Sequence, residues 1–369
     1  MSTVLFKRAD YEYHTLKPIM YQMIDALGAD LIQPRMRVLI KPNLLLAAGP
    51  EKAVVTHPLV ARIAAEYVLD RDAYPMIADS PPLGSFEKIL KECGYSDLFK
   101  DLDVEFKSFE TSAKIDIGEP FGSIDLAADA LEADLIINLA KLKTHSQMLL
   151  TLGVKNLFGC VVGYKKPEWH VRAGIDRTIF ARLLVQIYRA LNPAITIVDG
   201  ILAMEGQGPG KSGKPRQLDV LIGCRDAFEA DRAICQMLNM DPDTLLTNRV
   251  AKELGFVPET AYIQGDFHMI NDFMLPDLGP LMFGPAFLQK LMRKHFIQRP
   301  VVKNQLCSHC GECRHYCPAT AINSQVDRIT FNYDRCIRCY CCIEICPQGA
   351  LSAKETLPGK IIRQMTDLR

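Results

Sequence analysis

The sequence predicts an α/β fold: a large domain with a mostly parallel sheet flanked by helices, followed by a small α+β domain. Three observations predict it. Short runs rich in Val and Ile alternate with longer stretches of helical period, the pattern of a parallel sheet covered by helices. Runs such as Val38-Leu-Ile, Leu135-Ile-Ile and Ile195-Thr-Ile-Val are apolar at consecutive positions, which suits strands buried on both faces. A cysteine pattern occurs twice in tandem near the C-terminus of a 369-residue chain that is too long for one modest core.

In chain order, strands are expected at 3–6, 37–40, 75–78, 104–109, 133–138, 194–198 and 219–222. Helices are expected at 19–30, 58–70, 85–99, 177–190, 227–239 and 243–254. Thr56-His-Pro58 and Asp241-Pro242 read as helix starts, with proline where its missing N–H costs nothing. The domains that follow are 1–275 for the α/β part, 276–300 for an amphipathic connector, 301–352 for the cysteine-rich unit and 353–369 for a charged tail.

Several strands are followed at once by polar residues: Lys41-Pro-Asn43, Asp79-Ser80, Lys141 and Lys143, Asp199-Gly200 and Arg225-Asp226. Ligands of open parallel sheets bind outside the carboxyl ends of the strands, so these residues are expected at one rim. Each alone also reads as an ordinary turn, Asp-Gly especially. The densest region, 138–170, adds His145, Lys155, Asn156, Lys165, Lys166 and His170. A solvated basic face is one reading of it. Interleaved Leu149, Leu150, Leu152, Val154, Leu157 and Phe158 argue that it folds into the body, where lysines and imidazoles would bind a carboxylate or phosphate.

Residues 204–213, with four glycines, read as a mobile flap, a surface loop or a loop approaching an anion; Glu205 is their one carboxylate and a candidate acid or base. They lack the spacing of a P-loop or a dinucleotide fingerprint. Residues 281–296 read as an amphipathic helix that docks the C-terminal unit.

The cysteine repeat comprises Cys307, Cys310, Cys313, Cys317 and Pro318, then Cys336, Cys339, Cys342, Cys346 and Pro347, each member recurring 29 positions on (307 to 336). A C-x-x-C-x-x-C loop delivers three thiolates to one iron–sulfur cluster, and the fourth comes from the other copy's Cys-Pro cysteine. The predicted sets are Cys307, Cys310, Cys313 and Cys346 on one [4Fe–4S] cluster, and Cys336, Cys339, Cys342 and Cys317 on a second. Zinc would call for spaced pairs closing one tetrahedron. Cys341 breaks the repeat and reads as a spare thiol beside the cluster.

Lys plus Arg (43) balances Asp plus Glu (43), so no overall field draws the chain to nucleic acid. Of the 13 cysteines, those outside the repeat are dispersed, which points to a reducing compartment. No run of 18 apolar residues predicts a transmembrane segment, and the expected location is cytoplasmic.

Residues 301–352 resemble the bacterial two-[4Fe–4S] ferredoxins, down to the Cys-Pro-Ala-Thr-Ala-Ile and Cys-Pro-Gln-Gly-Ala-Leu segments. Lys41-Pro-Asn43-Leu-Leu, Thr56-His-Pro58, Lys141-Leu-Lys-Thr-His145, Gly153-Val-Lys-Asn-Leu-Phe-Gly159, Val198-Asp-Gly200 and Met204-Glu-Gly-Gln-Gly-Pro209 resemble the domain-of-unknown-function three-six-two family. That resemblance implies a fusion of the α/β domain to such a ferredoxin module and names no substrate.

The expected function is an iron–sulfur oxidoreductase, served by a soluble low-potential electron carrier or redox partner protein. His145, Lys143 and His170 are the candidate catalytic residues. Lys41, Asn43, Lys141, Lys155, Asn156, Asp199 and Glu205 are the candidates for holding an anionic or carbonyl-bearing substrate. Two other classes fit the same residues: a redox-sensing or electron-transfer module that binds a partner protein, and a non-redox ligase or hydrolase with structural clusters.

Overall fold

The computed structural model describes residues 3–163, 165–174, 176–257, 262–276, 278, 295–325, 328–358 and 360. The α/β part contains strands β1 (Thr3–Arg8), β2 (Arg37–Pro42), β3 (Tyr74–Asp79), β4 (Glu105–Ser108), β5 (Ser112–Asp116), β6 (Ser123–Ala127), β7 (Leu135–His145), β8 (Leu149–Thr151), β9 (Ile195–Gly206), β10 (Gly213–Cys224) and β11 (Tyr262–Gly265). Its helices are α1 (Tyr13–Gly28), α2 (Pro58–Leu69), α3 (Phe86–Glu92), α4 (Tyr95–Leu98), α5 (Ala128–Glu132), α6 (Gly153–Asn156), α7 (Lys165–Ala173), α8 (Arg177–Leu191), α9 (Ala227–Met237) and α10 (Leu246–Glu253).

The main sheet runs β11-β1-β10-β9-β7-β2-β3-β4, with short β8 hydrogen-bonded to β7. β9, β7, β2, β3 and β4 are mutually parallel, and β10 runs against both of its neighbours. Both faces are covered, as the continuous apolar runs require. Val38 and Ile40 of β2 belong to the same apolar cluster as Val60, Ala61 and Ala64 of α2, whereas Leu39 between them belongs to the cluster that holds Leu183, Leu184 and Ile187 of α8.

Helix starts follow local chemistry. The His57 ring accepts the Leu59 N–H at 3.2 Å with Pro58 as the first helical residue, and Asp226 accepts the Phe228 N–H at 2.8 Å to begin α9. Asp241 likewise accepts from Asp243, but the turn it opens, Pro242–Thr244, is a 3-10 helix ahead of α10.

Other boundaries differ from expectation for physical reasons. Helix α1 begins at Tyr13 and carries Pro18 inside it; the hydrogen bond that Pro18 cannot make is the one to the carbonyl of exposed His14, in the first turn. The helix expected over 85–99 is two, broken where Gly94 takes φ 82°. Strands β7 and β9 run well past their expected ends, so Lys141, Lys143, His145 and Asp199 lie within strands. Because β10 is antiparallel to β9, Arg225-Asp226 leaves the sheet at the opposite rim and caps α9.

In the C-terminal region β12 (Arg299–Val302) pairs with β15 (Leu351–Lys354), and β13 (Ile322–Gln325) with β14 (Arg328–Phe331). The cysteine repeat is also a repeat of backbone. Short helices Glu312–His315 and Cys341–Glu344 occupy equivalent places. Left-handed φ recurs at His309 and Arg338 (54° and 61°), Gly311 and Tyr340 (80° and 59°), and Thr320 and Gly349 (45° and 61°).

The glycine-rich segment, read as a flap, a surface loop or a loop approaching an anion, is the tip of the β9–β10 hairpin, and it docks this region. Ser212 Oγ donates to the Leu351 carbonyl at 3.0 Å, and a Cβ on Gly210 would stand 2.8 Å from the Glu344 carbonyl. The backbones therefore touch where only glycine leaves room. The amphipathic helix expected over 281–296 lies almost wholly outside the described residues.

Candidate functional site

Strand β2 lies between β3 and β7, where the winding of the sheet reverses. Beyond the carboxyl ends of these three strands is a partly open cavity. The α/β part supplies Asn43, Asp79, Ser80, Lys143, His145, Thr151, Lys155, Asn156, Lys166 and His170 to its walls. The cysteine-rich region closes it with Tyr316, Cys341 and Glu344, and Pro209 of the hairpin tip joins them.

The extension of β7 brings Lys143 and His145 to the cavity on alternate positions of one strand. Lys143 Nζ donates to Asn43 Oδ1 at 2.8 Å and the Val54 carbonyl at 2.5 Å. Asn43 Nδ2 donates to Asn156 Oδ1 at 2.9 Å, and Asn156 Nδ2 to Asn138 Oδ1 at 2.8 Å. These amides form a fixed frame under the lysine. Lys155 and Asn156 arrive on α6, whose first two N–H groups, of Gly153 and Val154, donate to the buried Asp231 carboxylate at 2.9 and 3.2 Å.

His145 has a defined tautomer: its Nδ1 accepts the N–H groups of Gln147 and Met148 at 3.1 and 3.2 Å, which places the proton on Nε2. That Nε2 lies 2.8 Å from Glu344 Oε1, but the approach is off the N–H direction, and neither atom has a hydrogen-bond partner among the described residues. His170 is stacked on Phe180 with ring centroids 4.3 Å apart, and its Nδ1 is likewise without one.

Burial dominates the electrostatics. It lowers His145 to about 4, helped by Lys155 and opposed by Glu344, and it lowers His170 to about 3, so both rings are neutral at pH 7. Burial also depresses Lys143 and Lys155, and takes Lys166 down to about 8. Burial alone would raise Glu344, yet the charges around it hold it at about 2. The largest lowering influence on it is the adjoining His145, followed by Lys155.

Three expected binding residues are placed elsewhere. Lys141 and Asp199 form a fully buried pair at 2.7 Å between β7 and β9; Tyr11 Oη and the His57 N–H also donate to Asp199, at 2.7 and 2.9 Å. That network is complete and does not line the cavity. Glu205 accepts the Met274 N–H at 3.1 Å on the far side of the hairpin.

Lys41 stands just behind the cavity wall, paired with Asp79 at 2.9 Å. A Cβ on Gly159 would come within 2.5 Å of Asp79 Oδ1 and 2.6 Å of Lys41 Nζ. Gly159→Ala is therefore expected to cost about 1–3 kcal/mol in a denaturant melt.

Sequence reasoning passed over Thr151, Tyr316 and Glu344, and gave Asp79, Ser80 and Lys166 a place at the rim or in the basic cluster without a role of their own. Glu344 lies inside Cys342-Ile-Glu-Ile-Cys346, and a carboxylate between two ligand cysteines was its one available signal.

Four cysteines, Cys307, Cys310, Cys313 and Cys346, line a second, smaller cavity together with Ser308, Ile329 and Leu351. After burial, Cys339, Cys336, Cys313 and Cys317 all lie close enough to Cys342 to raise its thiol. No three His, Cys, Asp or Glu side chains among the described residues converge on a single ion. Thiols spread around a cavity fit a multi-iron cluster and not one zinc ion.

The Ala321 and Ala350 N–H groups donate to Cys317 and Cys346 Sγ, each at 3.3 Å, bonds of the kind that stabilise thiolate and tune a cluster. Cys341 lies against Cys339 and faces the first cavity.

Comparison with known proteins agrees with this division. The chain is 34% identical over 319 residues to the "Thylakoid-associated protein sll1697" of Synechocystis, covering 84% of this chain and 99% of that protein. A stretch of 70 residues, 18% of this chain and 32% of the other, is 40% identical to "Hydrogenase-4 component A" of Escherichia coli. A stretch of 59 residues, 16% of this chain and 60% of the other, is 34% identical to "Pyruvate synthase subunit PorD" of Thermotoga maritima. Residues 299–347 match the 4Fe-4S dicluster domain, which makes the C-terminal region a ferredoxin-type iron–sulfur unit with an electron-transfer role. Residues 38–236 match the family described as "Domain of unknown function (DUF362)", and with that match and its near full-length relative the chain belongs to this family.

Proposed function

We propose that the protein is an iron–sulfur oxidoreductase whose substrate or second cofactor occupies the cavity between the strand ends and the Cys341–Glu344 helix. The observation that carries this reading is the shared wall: Tyr316, Cys341 and Glu344, which adjoin cysteines of the second set, face Lys143, Lys155, His145 and His170 across one space. Bound at the two cysteine sets, [4Fe–4S] clusters supply single electrons. The chain's own residues supply the rest. Lys143, Lys155 and Asn43 bind and orient an anionic or carbonyl oxygen, and neutral His145 presents its Nε2 proton to it, with His170 as the second neutral imidazole on the wall.

Cys310 is the exposed cysteine of the first set, so a low-potential carrier protein is proposed to dock on that side. The cytoplasmic placement belongs to this proposal and rests on the reducing chemistry of the cysteines; no helix of the described residues is long and apolar enough to cross a membrane. The relative's name associates that protein with thylakoids, and a peripheral association is compatible with the same reading.

The test is anaerobic: chemically reduced protein is screened against compounds for reoxidation, followed in the visible absorption of the clusters. Lys155→Ser and Lys143→Ser are expected to slow reoxidation by any hit about a hundredfold or more with iron content unchanged. Unchanged rates would remove the substrate from this cavity.

A further inference from the structure

The charges around the cavity do not balance. Lys41 already takes Asp79 at 2.9 Å, so Lys143, Lys155 and Lys166 outnumber the one remaining lining carboxylate, Glu344, by two among the described residues. The bonds made by two of these lysines bring no countercharge. Lys143 donates to an amide oxygen and a carbonyl, and Lys166 to the Ser80 carbonyl. Lys155 has neither a hydrogen bond nor an ion pair with a described residue.

On the same walls Thr151 Oγ1 and His170 Nδ1 are buried without hydrogen-bond partners among the described residues, as are His145 Nε2 and Glu344 Oε1, which lie 2.8 Å from each other outside hydrogen-bond geometry. Cations and polar atoms out of water are costly unless something compensates them. A fold that gathers three such cations and four such atoms in one cavity has left their partners to a ligand.

We infer that the cavity binds a small dianion, bearing its two negative charges on carboxylate or phosphate oxygens. Lys143, Lys155 and Lys166 take the charge. Thr151 and His145 Nε2–H take acceptor oxygens, and Glu344 favours a ligand that also offers a hydroxyl or N–H. This inference rests on the proposed substrate site and adds the charge of the molecule that fills it.

Binding is tested on the anaerobically purified full chain, with no electron donor, by calorimetry and thermal unfolding. The probes are malonate and glycerol 2-phosphate, with acetate and malonamide as the monoanionic and neutral controls. Expected is stabilisation by at least one dianion, neither control acting, with Lys155→Met weakening it about tenfold or more. Malonate alone binding would point to a dicarboxylate, and glycerol 2-phosphate alone to a phosphate monoester.

Lys166 faces Asp79, Lys41, Cys160 and Lys155, and loses its proton near pH 8. Affinity should fall as pH rises through about 8, and Lys166→Met should flatten that step. The inference is overturned if acetate or malonamide matches the dianions, if neither dianion acts, or if Lys155→Met binds as wild type. Dianion binding without reoxidation by any dianion would count against the oxidoreductase reading and spare this one; reoxidation by neutral compounds with no dianion bound would do the reverse.

Discussion

Cys317→Ala is expected to strip the protein of the cluster that the other loop carries, lowering iron and acid-labile sulfide to about half while the first set stays filled. The reason is the crossing of ligands between repeats. Cys307, Cys310, Cys313 and Cys346 line one cavity, so the Cys-Pro cysteine of the second copy completes the first copy's triplet. The repeat then assigns Cys317, as an expectation, to Cys336, Cys339 and Cys342. Double variants expose the grouping through their failure to add. Cys317→Ala with Cys342→Ala should hold the same half of the iron as either alone, and Cys317→Ala with Cys313→Ala should hold almost none. All are made on a Cys341→Ala background, because a buried thiol beside Cys339 is placed to substitute for a lost ligand. A Cys317/Cys313 double variant that keeps half its iron would mean that each loop fills its own site.

The expectation of that crossing comes from a local pattern: three cysteines at fixed offsets and a fourth before proline, written twice. The parallel strands were legible for the same kind of reason, since β2, β3 and the first half of β7 are short apolar runs between turn residues. What local pattern does not carry is which strand lies beside which, and in what direction. Asp226 looked like a rim residue until β10 proved to be reversed, and the glycines of 204–213 read as a flap, a surface loop or an anion loop until they met the backbone of 344 and 349. The extension of β7 did leave a mark, for Lys141, Lys143 and His145 fall on every second position with Leu142 and Thr144 between them. The half of the cavity that arrives from another region, Glu344 above all, had no such mark, because its meaning depends on a neighbour about two hundred positions away.

Asp199→Ala is expected to destabilise the protein by about 3–5 kcal/mol and, in whatever remains folded, to leave ligand binding in the cavity intact. Asp199 is wholly buried and accepts from Lys141 Nζ at 2.7 Å, Tyr11 Oη at 2.7 Å, the His57 N–H at 2.9 Å and the Ile201 N–H at 3.3 Å. Truncation strands a buried ammonium, a phenol and two amides at once. The intact pair need not be worth that much over an apolar replacement, because taking two charges out of water offsets most of their attraction. Asp199→Asn separates charge from shape: it keeps an oxygen for Tyr11 and loses the countercharge of Lys141, so most of the loss should remain. Burial alone would raise Asp199, yet Lys141, Tyr11 and the His57 amide hold it below its ordinary 3.8. The contribution is therefore complete above that value and lost as pH falls beneath it. Urea melts at neutral pH and at pH values below 4 measure both effects. If Asp199→Asn were as stable as wild type but bound no dianion, the Lys141–Asp199 pair would belong to the ligand and not to the frame that holds β7 beside β9.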